Sequence, residues 1–215
     1  MTPPPPTPGT VLERDGAVYR VAVDGGEVRA VLRGKLKQAA RPENKVVVGD
    51  RVELEPDAGG GLWGIVGVKE RTSLLERRVP GGRGTRGVAA NIDQVAVVTA
   101  TRDPAPVPQL IDRLLVLAEA NDLPTVVVLN KIDLDPGDAL AERMRQAGYP
   151  VFLTSARTGS GVEALRQQLV GRISVVTGPS GAGKSSLVNV IEPGLSLRTG
   201  DISQRIRRGR QTTVS

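Results

Sequence analysis

The sequence predicts a protein of the α/β class in which a small all-β barrel precedes a domain built on a parallel sheet. Between residues 10 and 75, short runs of alternating polar and apolar residues are separated by turn signals, without a convincing helix. From about residue 89 onward, apolar strands alternate with amphipathic helices, as in a parallel sheet. The predicted organisation is a disordered proline-rich tail (1–9), the barrel (10–75), a basic linker (76–88) and the α/β domain (89–215).

Within the barrel segment, the turn residues indicate where the strands meet. Two alternating runs in "AVYRVAVDGGEVRAVLRG" are joined by residues 24–26, a hairpin signature, and a later pair turns at the glycines 59–61. Five short strands of this kind indicate a barrel of the OB type, a fold that often binds nucleic acid. Its aromatic residues are Tyr19 and Trp63, and such residues are more often barrel core. We therefore expect contacts to RNA through backbone and charge instead of base stacking.

The α/β segment contains four apolar strands, in "IDQVAVVTAT", "PTVVVLN", "YPVFLTS" and "ISVVTG". Helical patterns separate them. The second helix should begin with Asp135 as its N-cap and Pro136 at its first position, and the third with a capping box formed by Ser160 and Glu163. This alternation predicts a parallel sheet with helices on both faces.

Composition excludes several kinds of chemistry. The 215 residues are 39% hydrophobic and 24% charged, and no apolar run approaches the roughly 18 residues of a membrane span. The N-terminal "MTPPPPTPGT" has no basic or apolar region typical of a secretory signal. Cysteine and histidine are absent, which excludes disulfides, Cys/His zinc sites and a Ser-His-Asp triad within these residues. We expect a cytoplasmic monomer without a membrane partner.

Positive charge is concentrated in two stretches. The net charge is +6, with six Lys/Arg against two Glu in residues 69–86 and five Arg against one Asp in residues 198–210. A polyanion such as RNA is the partner that this pattern favours, although solvated surface charge remains an alternative.

The clearest chemical motif is "GPSGAGKS" at residues 178–185, which fits G-x-x-x-x-G-K-[ST] between a buried strand and a helix. Its glycines let backbone N–H groups surround a phosphate at the helix N-terminus. Lys184 should reach the outer phosphates, and the Ser185 hydroxyl is placed to bind Mg²⁺. The predicted phosphate-binding residues are Gly178, Pro179, Ser180, Gly181, Ala182, Gly183, Lys184, Ser185 and Ser186.

A second motif, "NKID", follows a buried strand directly and therefore lies at the sheet edge where α/β proteins bind ligands. The Asp133 carboxylate can accept hydrogen bonds from guanine N1–H and N2–H₂, a pair that adenine does not offer. The next strand ends in "TSA", whose backbone amides could meet guanine O6, although an ordinary turn before a helix is equally compatible. The predicted base-binding residues are Asn130, Lys131, Ile132, Asp133, Ser155 and Ala156.

The order of these motifs, with the base reader before the phosphate loop, resembles that of the circularly permuted GTPases. The segments "ANIDQVAVV", "LNKIDL", "GPSGAGKSSLVN" and "GDIS…RGRQTT" are similar to the RsgA (YjeQ) family over roughly residues 10–213. The resemblance implies a circularly permuted P-loop GTPase domain preceded by an OB-like barrel on rRNA. It further implies GTP hydrolysis stimulated by the small (30S) ribosomal subunit, and release of assembly factors late in maturation.

The resemblance also implies cofactors and further site residues. GTP, GDP and Mg²⁺ are the implied ligands. Thr212 and Thr213 match the family's first switch, and the resemblance makes them catalytic residues together with Lys184 and Ser185. The same two threonines and Ser185 are the implied metal ligands. The family's D-x-P-G element and zinc domain are missing from this sequence, so the zinc ligands are absent and we expect a C-terminally incomplete GTPase domain. Gln211 stands where many relatives have histidine and is either a water-orienting group or a polar loop residue.

Two other functions stay open at this point. An RNA-binding module could bind guanine nucleotide without efficient hydrolysis, because the second switch, which contains the D-x-P-G element, is missing. A P-loop ATPase or nucleoside kinase is disfavoured by "NKID".

Overall fold

The structure, a computed structural model, describes residues 5–34, 36, 46–57, 61–79, 81 and 84–193. These residues fall into two compact units that divide between Ile92 and Asp93. The boundary predicted from the sequence lies slightly earlier, at residue 89.

The first unit contains a closed five-stranded barrel, as predicted. Its strands run in the order β1-β2-β3-β5-β4, with β3 and β5 parallel and the other pairs antiparallel. The bounds are β1 (Thr7–Asp15), β2 (Val18–Val23), β3 (Gly26–Leu32), β4 (Arg51–Glu55) and β5 (Trp63–Val68). Tyr19 is 1% exposed in the barrel core, so it offers no free stacking platform, and Trp63 packs against that core and is partly buried.

The proline-rich segment differs from the expected disordered tail. Strand β1 begins at Thr7, and Thr7 and Pro8 pair with Leu54 and Glu53 of β4. Closing the barrel requires a partner for the backbone groups of β4, and β1 supplies it in spite of its proline. Residues 1–4 lie outside the described part of the chain.

The segment expected as a basic linker is also folded. Strands β6 (Leu74–Arg78) and β7 (Thr85–Ala90) form an antiparallel hairpin. Leu75, Ala89 and Ala90 are buried at its base, so apolar burial orders a segment whose charges and glycines favour a loop.

The second unit contains a parallel sheet in the order β10-β9-β8-β11. Its strands are β8 (Gln94–Ala100), β9 (Thr125–Asn130), β10 (Val151–Thr154) and β11 (Ser174–Thr177). The helices are α1 (Pro108–Glu119), α2 (Asp138–Gln146), α3 (Val162–Leu169) and α4 (Lys184–Ile191). All seven residues of β8 are buried, and since successive side chains point to opposite faces, both faces of this strand are covered.

Two helices begin later than predicted. Helix α2 begins at Asp138 behind Gly137, because the Asp135 carboxylate accepts the Gly137 N–H at 2.9 Å and forms a turn instead of a cap. Helix α3 begins at Val162 behind Gly161, and no side-chain hydrogen bond caps it. In both cases a left-handed glycine takes the N-cap position. Among the described residues, no helix has the length and hydropathy needed to span a membrane.

Candidate nucleotide-binding site

The candidate site lies where the four parallel strands of the second unit end. Because parallel strands present their carboxyl ends at one edge, the loops that follow β8, β9, β10 and β11 gather there. Both predicted motifs are among these loops: "NKID" follows β9 and the phosphate loop follows β11.

The phosphate loop wraps around the ammonium group of Lys184, the first residue of α4. Lys184 Nζ donates to the carbonyl oxygens of Gly178 at 2.8 Å and Pro179 at 2.9 Å. Burial lowers the pKa of Lys184, since the charged form loses hydration in the loop. A phosphate bound here would favour the charged form of the ammonium, which is the chemistry expected of this motif.

Two glycines of the loop are required by close backbone approaches. Gly178 has φ +145° and faces Val98 of β8, whose carbonyl oxygen a Cβ atom would overlap. Gly183 has φ +86° and lies against the Asn130 side chain, which a Cβ atom would likewise overlap. Both the conformation and the available space therefore exclude a side chain at these positions.

Asn130 joins three of the loops through its side-chain amide. It is the last residue of β9 and is 1% exposed. Its Nδ2 donates to the Ala182 carbonyl at 2.9 Å, while its Oδ1 accepts from the Ala156 N–H at 3.1 Å and the Thr154 hydroxyl at 3.3 Å. The phosphate loop and the base loop are therefore held together directly, over a separation of 52 residues in the chain.

Asp133 is kept ionised by its neighbours. Its Oδ1 accepts the Ser155 hydroxyl at 2.6 Å, and its Oδ2 pairs with Arg157 Nε at 3.0 Å. The Ser155 hydrogen bond, with help from the charges of Arg157 and Lys131, lowers the pKa of Asp133. A carboxylate with free lone pairs at the edge of a pocket can accept the two adjacent N–H groups of guanine.

The backbone amides of the third loop are less available than the sequence suggests. The Ser155 N–H donates to the Ser160 carbonyl at 2.9 Å, and the Ala156 N–H donates to Asn130. A contact with guanine O6 would need to share or replace these bonds, so this role stays a prediction.

Further contacts fix the base loop from the β8 side. Lys131 adopts φ +67° and its ammonium donates to the Asp103 carbonyl, while the Thr101 hydroxyl donates to the Lys131 carbonyl at 3.0 Å. From the opposite side, that of β10, the Thr154 carbonyl accepts the Ile132 N–H at 3.2 Å. Sequence reasoning missed Thr101 and Arg157, and it named Thr154 only as the first residue of "TSA" without assigning it a contact, because the motifs do not specify which residues of other loops contact them.

A pocket of about 400 Å³ opens between the two motifs. Its volume falls in the range of small-molecule sites. Its lining combines both loops: Asn130, Lys131, Asp133, Leu134, Ala156, Arg157, Gly183 and Ser186. The other phosphate-loop residues predicted from the motif do not line this pocket. Two of them, Ser180 and Gly181, are exposed on the loop.

The residues present fit a magnesium ion held mainly by a nucleotide. Mg²⁺ keeps several waters and typically takes one or two protein ligands plus phosphate oxygens. Ser185, in the first turn of α4, can supply one such ligand, and the described residues contain no cluster of three or more His, Cys, Asp or Glu that could hold a metal alone. Thr212, Thr213, Gln211 and the basic stretch 198–210 lie outside the described residues.

Comparison with known proteins bears directly on this geometry. The model of the RsgA GTPase family matches residues 68–215, which include both motifs. The chain belongs to the RsgA GTPase family. A small ribosomal subunit biogenesis GTPase RsgA from Gemmatimonas aurantiaca is 48% identical over 214 residues, covering 97% of this chain and 70% of the relative. A small ribosomal subunit biogenesis GTPase RsgA from Moorella thermoacetica is 42% identical over 207 residues, covering 95% of this chain and 67% of the relative.

Solved structures agree with this family membership. YjeQ from Thermotoga maritima matches with a TM-score of 0.69 at 40% identity, covering 90% of this chain and 68% of that one. YloQ, described as a circularly permuted GTPase, matches with a TM-score of 0.63 at 27% identity, covering 92% and 68%. The permuted RsgA fold, an OB-like barrel followed by an α/β domain, is thus confirmed, and the chain spans about two thirds of the length of these relatives.

Proposed function

We propose that this chain binds GTP and GDP in the pocket between the two motifs, hydrolyses GTP, and acts in late maturation of the small ribosomal subunit. The observation that carries the proposal is the Asn130 amide, 2.9 Å from the Ala182 carbonyl, which brings the base loop to the phosphate loop. A single nucleotide can then contact both loops.

Each group has a distinct part in this proposal. Asp133 selects guanine by accepting two hydrogen bonds, Lys184 and the loop amides bind the phosphates, and Ser185 holds Mg²⁺. Bound Mg²⁺ would neutralise charge that develops on the phosphates during hydrolysis. By family resemblance, Thr212 and Thr213 would complete the metal and γ-phosphate contacts.

The ribosomal part of the proposal rests on the relatives' names and on the basic charge of the chain. The barrel would bind rRNA, and GTP turnover would release assembly factors from the maturing subunit. We expect the protein to act as a monomer in the cytoplasm, where ribosomes are assembled.

Two measurements test the nucleotide function. Titration with GDP, ADP and XDP should show a preference for GDP, because adenine cannot present two donors to Asp133 and xanthine presents an acceptor to it. Comparable ADP affinity would refute the guanine assignment.

Multiple-turnover GTP hydrolysis, with and without purified small ribosomal subunits, tests the enzymatic part. We expect subunits to accelerate turnover. Tight GDP binding without any acceleration would instead identify the alternative, an RNA-binding module that binds guanine nucleotide without efficient hydrolysis.

A further inference from the structure

The hairpin of β6 and β7 places two arginines directly opposite each other. Arg77 pairs with Arg86 across the antiparallel ladder, and the next pair outward is Arg78 with Thr85. All three arginines are exposed. Side chains of directly opposed residues lie on one face with Cβ atoms about 4.5–5.5 Å apart, so like charges at such positions repel. We refer to Arg77, Arg78 and Arg86 as the cationic edge.

No carboxylate among the described residues neutralises this edge. Other arginines of the first unit have such partners: Arg20 pairs with Glu13 and Glu27, and Arg33 pairs with Asp57. The acidic residue of β6 itself, Glu76, accepts a hydrogen bond from the Thr85 hydroxyl at 3.0 Å. The cationic edge therefore keeps a repulsive pair that an external anion would relieve.

The base of the hairpin is fixed to the rest of the first unit. Arg71, just before β6, forms a two-point ion pair with buried Asp50, at 2.7 and 2.9 Å. Just after β7, the Asn91 amide donates to the Gly49 carbonyl at 2.9 Å and accepts the Thr72 N–H at 2.9 Å. Because the base of the hairpin is held rigidly, less conformational entropy is lost when the cationic edge binds a partner.

We infer that the cationic edge binds the phosphate backbone of RNA, as an interaction surface separate from the barrel strands. Each guanidinium group can contact phosphate oxygens through two N–H groups. The net charge of +6 favours a polyanion such as RNA as the partner. The inference rests on the proposed function for its ribosomal partner, and it names the part of the first unit that meets rRNA.

The experiment compares two double variants with the same change in charge. Arg77→Ala with Arg86→Ala removes the opposed pair, whereas Arg20→Ala with Arg33→Ala removes two arginines that are already neutralised. Affinity for rRNA extracted from small ribosomal subunits, and for intact subunits, is measured over a series of KCl concentrations. GDP affinity and thermal unfolding are measured on the same preparations.

We expect the hairpin variant to reduce the slope of log affinity against log salt by about 1.4–1.8, the value for two lost phosphate contacts. The control should keep the slope, and the hairpin variant should unfold at the same or a higher temperature because a repulsive pair is gone. Arg77→Lys with Arg86→Lys keeps both charges and should keep the slope, which also tests the edge if the alanine variant folds poorly.

Three outcomes would overturn the inference. Equal slopes for the hairpin and control variants, whether both are reduced or both are unchanged, would mean that the cationic edge makes no phosphate contacts of its own. A lysine variant that loses the slope would exclude an electrostatic contact. Weakened subunit binding with unchanged binding to extracted rRNA would identify a protein partner. If the wild type binds no GDP but the hairpin variant still loses rRNA affinity, the nucleotide function fails while this inference stands.

Discussion

Removing the Asn130 amide should loosen the second unit even without nucleotide. In Asn130→Ala, the Ala182 carbonyl and the Ala156 N–H lose their partner at a position that is 1% exposed. A buried polar group left unpaired costs about 1–3 kcal/mol, which gives about 2–6 kcal/mol for two groups. Because Ala156 borders the pocket, water can reach its N–H there, whereas Ala182 is fully buried, so we expect the lower part of that range, about 2–4 kcal/mol.

The two units can be followed separately in one urea titration. Helices α1–α4 all lie in the second unit, so the helical signal in far-ultraviolet circular dichroism follows mainly the unfolding of that unit. The single tryptophan, Trp63, lies in the first unit and its fluorescence reports that one. The circular dichroism transition should move to lower urea while the fluorescence transition stays in place.

Asn121→Ala is the matched control. Its amide donates to the Leu117 carbonyl at 2.7 Å near the end of α1, in a half-buried position where water can replace it. We expect this variant to lose at most about 1 kcal/mol. If Asn130→Ala loses no more than the control, the amide does not hold the loops together, and its role is confined to contacts with a ligand.

The remaining predictions address single groups. Lys184→Ala should lower GDP affinity about 100-fold, which corresponds to about 3 kcal/mol for a charged hydrogen bond, and leave guanosine affinity unchanged in calorimetry; equal losses for both would contradict a phosphate role. Asp133→Asn should shift preference from GDP toward XDP in competition binding. Because the pKa of Asp133 is lowered, its contribution to stability is complete above about pH 4 and is lost only as pH falls through that lowered value, so GDP affinity should show no Asp133 titration between pH 5 and 8. Asp50→Ala leaves Arg71 without its buried partner and should lower the stability of the first unit by about 3 kcal/mol in Trp63 fluorescence; a change below 1 kcal/mol would mean that water replaces the pair.

The fold was predictable where one periodicity dominates a segment. The predominantly apolar strands β8 and β9 and the alternating strands β2 and β3 were visible in the sequence for this reason. The β6–β7 hairpin was missed because its base is stabilised by contacts that are distant in sequence, such as the bridge between Val48 and Ala89. Arginines and glycines at its outer end favour a loop when the segment is considered alone.

The site was predictable at the level of its loops, but not of its contacts. Motif spacing identified the base loop and the phosphate loop, and strand–loop–helix order placed both at one edge of the sheet. The pairing of Asp133 with Arg157, and the use of the Ala156 amide by Asn130, depend on distances between separate loops. Local patterns carry no information on such distances, so these partners had to come from the structure.

The order of the two motifs in the chain, with the base loop before the phosphate loop, is compatible with the same geometry. In the chain the strands run β8, β9, β10, β11, but in the sheet β8 separates β9 from β11. The base loop therefore stands one strand away from the phosphate loop, close enough for Asn130 to reach Ala182. Since every parallel strand ends at the same edge, this distance depends on which strands are neighbours and not on which comes first in the chain. A permuted chain that preserves the neighbours thus preserves the pocket.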